Sequence, residues 1–176
     1  MSEELLECVE AGARDNPTAT VIWLHGLGAD GHDFEPIVPE LGLPDGLPVR
    51  FVFPHAPVQP VTLNGGMAMR SWYDIQALEG DVAEDDAGIR AAQRHLHALI
   101  ERENERGIAS GRIVLAGFSQ GGAVALHTGL RYPEPLAGIM GLSTYLPLAD
   151  AVADERSSAN RDTPVFMAHG TQDPVL

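Results

Sequence analysis

The sequence predicts one α/β domain built on a mainly parallel sheet with helices on both faces, and three features carry that expectation. Residues 20–25, 49–53, 113–116, 137–143 and 164–170 are short runs that are apolar throughout rather than alternating, as strands covered on two faces must be. Segments with helical spacing lie between several of these runs, which is the strand-helix alternation of a parallel sheet. Finally, Gly117-Phe118-Ser119-Gln120-Gly121 follows the run Ile113-Val114-Leu115-Ala116 and precedes the helix-compatible Gly122-Ala123-Val124-Ala125-Leu126-His127. A strand, a sharp turn at a serine and a helix are the parts of a nucleophile elbow, and glycines two residues either side of the serine remove Cβ atoms that would collide there.

Taken in chain order, Thr20-Val21-Ile22-Trp23-Leu24-His25 reads as a buried strand that ends in the glycine-rich loop Gly26-Leu27-Gly28-Ala29-Asp30-Gly31. Asp30 or Asp33 is expected to begin the next helix. Residues 49–53 form a second strand, stopped by Pro54 and Pro57, and residues 58–75 lack a clear period and read as a long functional loop. From Asp81 to Arg106 the residues Ile89, Leu96, Leu99 and Ile100 recur at helical spacing on a charged background, so an amphipathic helix lies on the sheet until Gly107 ends it. Residues 137–143 and 164–170 are the last strands, with a helix expected at residues 148–156 between them. No repeat, low-complexity tract or linker divides residues 1–176, which are read as a single domain.

Composition narrows the function classes. Hydrophobic residues make up 44% of the chain and charged residues 20%, as in ordinary globular proteins. Twenty-five acidic residues face eleven basic ones, all arginine, for a net charge of −14. Such a surface repels nucleic acid and anionic membranes, so neither is an expected partner. No apolar run approaches the roughly 20 residues that span a bilayer, and the acidic start Met1-Ser2-Glu3-Glu4 is unlike a secretory leader, so a cytoplasmic setting is expected. The single cysteine, Cys8, has no partner for an internal disulfide and reads as structural filler.

A serine hydroxyl is a weak nucleophile at its ordinary pKa, so acyl transfer through Ser119 requires a base, a carboxylate to orient that base and donors for the oxyanion. The backbone N–H of Gln120 is one candidate donor and that of Leu27, in the loop after the first strand, is the other. His25 is expected to shape that loop. Asp173 is the candidate carboxylate, because Gly170-Thr171-Gln172-Asp173 follows the last strand and so reaches the edge of the sheet that carries Ser119. No histidine follows Asp173. His169, His127, His95, His97, His32 and His55 each read as structural, with His169 and His55 the residual candidates for a base. His95 and His97 on one helix point to different faces, so no metal site is expected, and no cofactor is required.

With these residues in hand, the chain resembles the phospholipase/carboxylesterase family that includes acyl-protein thioesterases, within the α/β-hydrolase fold. The likeness rests on Leu24-His25-Gly26-Leu27-Gly28-Ala29-Asp30, Phe53-Pro54-His55-Ala56-Pro57, Asn64-Gly65-Gly66, Ser71-Trp72-Tyr73-Asp74, the elbow with Gly122-Ala123, Leu142-Ser143-Thr144 and His169-Gly170-Thr171-Gln172-Asp173-Pro174-Val175. It implies Ser119 as nucleophile, Asp173 as triad acid, Leu27 and Gln120 as oxyanion donors, and a segment around Leu63 to Trp72 bordering the acyl pocket. Members of the family continue past the position of Asp173 with the catalytic histidine, a closing strand and a helix, so the resemblance implies a hydrolase fold that lacks its last strand and helix here.

The function expected is a serine carboxylesterase acting on short to medium acyl esters or thioesters, small-molecule or acyl-protein, through an acyl-enzyme on Ser119. The alternative is a catalytically impaired fragment that binds acyl ligands or a partner chain, since losing a triad member commonly lowers turnover by about 10⁴ to 10⁶. An uncovered sheet edge would favour a homodimer in which a second copy protects it. A dienelactone-type hydrolase would need a cysteine nucleophile where Ser119 stands, and a haloperoxidase would need different pocket residues.

Overall fold

The computed structural model describes residues 5–77 and 83–175. The acidic start Met1 to Glu4, the expected helix start at Asp81 and the terminal Leu176 lie outside the described residues. In chain order the elements are β1 (Cys8–Gly12), β2 (Ala19–Leu24), β3 (Val49–Pro54), β4 (Val58–Val61), β5 (Met67–Arg70), α1 (Asp86–Glu105), β6 (Ile113–Phe118), α2 (Gln120–Arg131), β7 (Gly138–Leu142), α3 (Val152–Glu155) and β8 (Val165–Ala168). Six strands make one sheet in the order β1-β3-β2-β6-β7-β8. All neighbours in it are parallel except β1, which pairs antiparallel with β3.

Alternation along the strands builds two cores. Ile22, Leu24, Val52, Ile113 and Leu115 point to the face covered by α1 and α2, where they meet Ile89, Leu96, Leu99 and Ile100 of α1 and Ala123 and Val124 of α2. The spacing that predicted α1 is therefore its buried stripe. Asp85 caps this helix by accepting from Gly88 N at 3.0 Å, and Gly107, at φ +92°, follows its end. Trp23, Phe51, Phe53 and Ala116 point to the opposite face, where Phe34 stacks on Trp23 with ring centroids 5.2 Å apart. The cover on that side is a 3-10 helix at Glu35–Leu41 rather than an α-helix, with Phe34 as its cap. Asp30 does not begin it; its carboxylate accepts from His32 N at 2.8 Å and closes a turn in the loop instead.

Three further expectations are corrected. Residues 58–75 are not one long loop: β4 and β5 form an antiparallel hairpin that pairs Val58 with Arg70 and Val61 with Met67. The segment at residues 148–156 is a 3-10 turn at Ala149–Ala151 followed by the short α3. The run at 164–170 does form a strand, β8, but all four of its residues are exposed, with Phe166 at 60%, because β8 is the sheet's edge and no described element packs over it. Among the described residues, no helix is long and apolar enough to cross a membrane.

Candidate active site

Ser119 sits between β6 and α2 with φ 51° and ψ −121°, a conformation that costs an L-residue of this kind about 1–3 kcal/mol and persists only where the surroundings enforce it. They do so through both of its peptide groups. Ser119 N–H donates to Leu142 O at 2.9 Å, and Ser119 O accepts from Thr144 Oγ1 at 2.7 Å and from Ala123 N at 3.1 Å. The flanking glycines are required sterically: a Cβ on Gly117 would run into the Gly121 carbonyl, and one on Gly121 would run into the carbonyls of Leu24 and His25. The side chain of Ser119 is half-buried and forms part of a cavity wall.

The loop after β2 is pressed against this turn. A Cβ on Gly26 would lie 3.2 Å from the Phe118 ring and 3.6 Å from Ser119 Cβ, so the loop backbone passes directly over the elbow. His25 fixes it from below. Its Nε2 accepts from Ala56 N at 3.0 Å, which leaves the proton on Nδ1 to donate to Gly26 O at 2.7 Å, and burial holds the imidazole pKa below its usual value. Trp72 Nε1 donates to His25 O at 2.8 Å, and Gly28 N donates to Arg70 O at 2.9 Å. Leu27, in this loop, lines the same cavity as Ser119. Gln120 opens α2, so its N–H is one of the first-turn donors a helix cannot bond internally.

The Gln120 side chain has a role that spacing did not reveal. Its Oε1 accepts from Trp72 N at 2.9 Å, and its Nε2 donates to Tyr73 O at 2.7 Å and Ser71 Oγ at 3.0 Å. One buried amide thereby ties the elbow to residues 71–73.

A cavity of about 460 Å³ is lined by Ser119, Leu27 and Gln120 together with the apolar Leu63, Ile75, Ala77 and Phe118. Leu63 is among the lining residues. Trp72 is not: it and Tyr73 are both 2% exposed and both belong to the core on the α1–α2 face, and of the two only Tyr73 lines the cavity. Tyr73 and Tyr145 share a hydroxyl–hydroxyl hydrogen bond of 2.7 Å at this surface, and Glu84 stands beside them. Burial first, then the neighbouring phenol and the Glu84 carboxylate, push the Tyr73 pKa up. Nothing in the periodicity marked Tyr145 or Glu84 for this place.

Asp173 follows β8, and β8 is in register with β7 and β6 so that Ala168, Leu142 and Phe118 form one row across the carboxyl edge. Two strand spacings of about 4.8 Å separate Phe118 from Ala168 along that row. The Asp173 carboxylate accepts from Val175 N at 2.9 Å and lies 3.7 Å from His169 Nε2, and Val175 reaches the cavity wall. No described histidine lines the cavity: His25 is buried beneath the loop, His127 hydrogen-bonds Gln93 at 3.0 Å, and His32 pairs with Glu35. Among the described residues no group of histidine, cysteine and carboxylates is arranged to hold a metal ion.

Comparison with known proteins finds relatives over most of the chain. The sequence model of the Phospholipase/Carboxylesterase family matches residues 7–176. Acyl-protein thioesterase 1 of Yarrowia lipolytica is 45% identical over 170 residues, covering 96% of this chain and 75% of the relative. The protein of the same name from Neurospora crassa is 46% identical over 167 residues, covering 90% of this chain and 68% of the relative. Among solved structures, Arabidopsis thaliana SOBER1 superposes with a TM-score of 0.82 at 33% identity, over 88% of this chain and 74% of the other. Zea mays acyl-protein thioesterase 2 gives 0.80 at 27% identity, over 97% and 78%.

Proposed function

The chain belongs to the phospholipase/carboxylesterase family, and from that premise we propose that it is a serine hydrolase that cleaves short to medium acyl esters or thioesters through an acyl-enzyme on Ser119. The observation that carries this reading is the positive φ of Ser119 at a strand-to-helix turn, beneath a cavity that Leu27 and Gln120 also line. Ser119 Oγ attacks the acyl carbon while a general base takes its proton. The Leu27 and Gln120 N–H groups receive the charge that develops on the carbonyl oxygen, a contribution of about 2.7 to 4 kcal/mol for each such donor in comparable sites. The bond to the alcohol or thiol then breaks as that group is protonated, and water releases the acyl group by the reverse sequence. Asp173 orients the base. The acyl group lies against Leu63, Ile75 and Phe118.

A fluorophosphonate probe tests this directly. Labelling of the wild type that disappears in Ser119→Ala supports the reading; absence of labelling at Ser119 refutes it.

A second reading, binding of acyl groups without turnover, is favoured by the absence of a histidine from the described cavity wall. It predicts ligand affinity that is unchanged in Ser119→Ala, with no hydrolysis by either form. The proposal also includes a homodimer in which a second copy covers β8, supported by the exposed Val165, Phe166 and Met167 on that edge strand. Sedimentation as a monomer at high concentration would dispose of it. A cytoplasmic setting completes the reading, and fractionation of cells that express the protein checks it.

A further inference from the structure

One part of the cavity wall is out of keeping with a site for a plain hydrocarbon chain. Beside the apolar Leu63, Ile75 and Phe118, the lining includes Tyr73, Tyr145 and Glu84, with Tyr73 buried and Tyr145 exposed. Tyr73 is buried and can spend its proton only on the mutual 2.7 Å bond, so the proton of the exposed Tyr145 remains for a ligand. Glu84 accepts from Leu148 N through Oε2 at 2.9 Å, which pins the carboxylate in place and leaves Oε1 as an acceptor. A purely apolar chain laid over these groups would strip water from a donor and an anion and return no hydrogen bond. A hydroxyl satisfies both, accepting from the free phenol proton and donating to Glu84. A carboxylate at the same place would meet the Glu84 charge and be repelled.

We propose that Tyr73, Tyr145 and Glu84 form a polar subsite that selects acyl groups carrying a hydroxyl on the chain. The inference rests on the reading of this cavity as the acyl site and adds a chemical preference to it. Such a pocket discriminates strongly, because a site built to hydrogen-bond a hydroxyl leaves its own polar groups unpaired when the analogue lacks one.

Binding of non-hydrolysable amides to the 176-residue chain, followed by NMR titration, separates this preference from catalysis. The probes are N-methylhexanamide, its 6-hydroxy analogue and the analogue ending in a 6-carboxylate. The expected result is that the ratio of affinities, hydroxy over methyl-ended, falls about fivefold in Tyr145→Phe, the size of one neutral hydrogen bond. Glu84→Gln is expected to strengthen carboxylate binding severalfold relative to the wild type. Equal ratios in the wild type and both variants, or no binding of any probe, overturn the proposal. Fluorophosphonate labelling of Ser119 in the same samples reports separately on the hydrolase reading, so either can fail without hiding the other.

Discussion

Thr144 Oγ1 donates a 2.7 Å hydrogen bond to the carbonyl oxygen of Ser119, so the residue with the least comfortable backbone in the site is restrained by a side chain from the loop after β7. Thr144 is 6% exposed, and water cannot readily replace it. Thr144→Val keeps the shape and removes the donor. Urea unfolding is expected to register a loss of about 1 kcal/mol, and the rate of fluorophosphonate labelling at Ser119 is expected to fall as the elbow relaxes. Unchanged labelling with unchanged stability would mean that the strain is enforced by the Leu142 and Ala123 bonds alone.

The elbow's tolerance for a methyl group is equally specific. In Gly121→Ala the new Cβ meets the backbone carbonyls of Leu24, the last residue of β2, and of His25 directly after it. A cost of at least 1–3 kcal/mol is expected, together with loss of Ser119 reactivity. Gly111→Ala is the matched control, since its nearest neighbour there is Pro135 O at 3.9 Å and its backbone is not left-handed. It should stay within about 0.5 kcal/mol of the wild type. Thermal melts of the two variants side by side decide the matter.

These two positions also mark what a reader of the bare sequence can reach. The glycine spacing around Ser119 follows from local sterics and was legible, as was α1 from the stripe Ile89, Leu96, Leu99 and Ile100. The β4–β5 hairpin was not, because Pro60 lies within β4 and the exposed Val58 and Met67 give no inward-facing alternation, although Asn64-Gly65 at its turn was a usable signal. β1 escaped for a similar reason, being a five-residue edge strand that contains Glu10. The resemblance puts Trp72 at the acyl pocket, whereas its indole donates to His25 O and Tyr73 lines the cavity. Tyr145 and Glu84 reach Tyr73 only through the tertiary fold, 72 and 11 positions away in sequence (145 − 73 and 84 − 73), and no periodic pattern carries such a meeting.

Acid sensitivity follows from His127. Burial, and after it the Arg131 and Arg90 charges, lower its pKa from 6.5 to about 4, so the folded protein holds it neutral against Gln93 Oε1. The unfolded chain binds the proton near pH 6.5 and the folded chain only near 4. Between those values the unfolded state carries more protons, so stability declines as the pH falls through that window and is retained above it. The decline attributable to this residue is roughly 3 kcal/mol across the window. His127→Gln should lower stability at neutral pH while flattening the slope between pH 6.5 and 4, read from urea midpoints at each pH. An unaltered slope would assign the acid sensitivity to other groups.

A carboxylate that does not line the cavity is buried among arginines. Glu103 is 0% exposed on α1, yet its carboxylate accepts from Thr20 Oγ1 at 2.9 Å and pairs with Arg50 at 2.8 Å, joining α1 to β2 and β3. Arg106 and Arg102 complete its shell at 2.9 and 3.2 Å. Both oxygens of the buried carboxylate are therefore hydrogen-bonded, Oε2 to Thr20 and Arg50 and Oε1 to Arg102 and Arg106. Glu103→Ala removes the anion and leaves Arg50, itself 6% exposed, buried without that partner, which is expected to cost about 3–5 kcal/mol. The double variant Glu103→Leu with Arg50→Met replaces both charges with apolar groups of similar volume. It should recover most of that loss, because the penalty arises from an orphaned charge rather than from a missing attraction. Denaturation midpoints for the single and double variants test this, and a double variant no more stable than Glu103→Ala would show that the ion pair is itself the source of the stability.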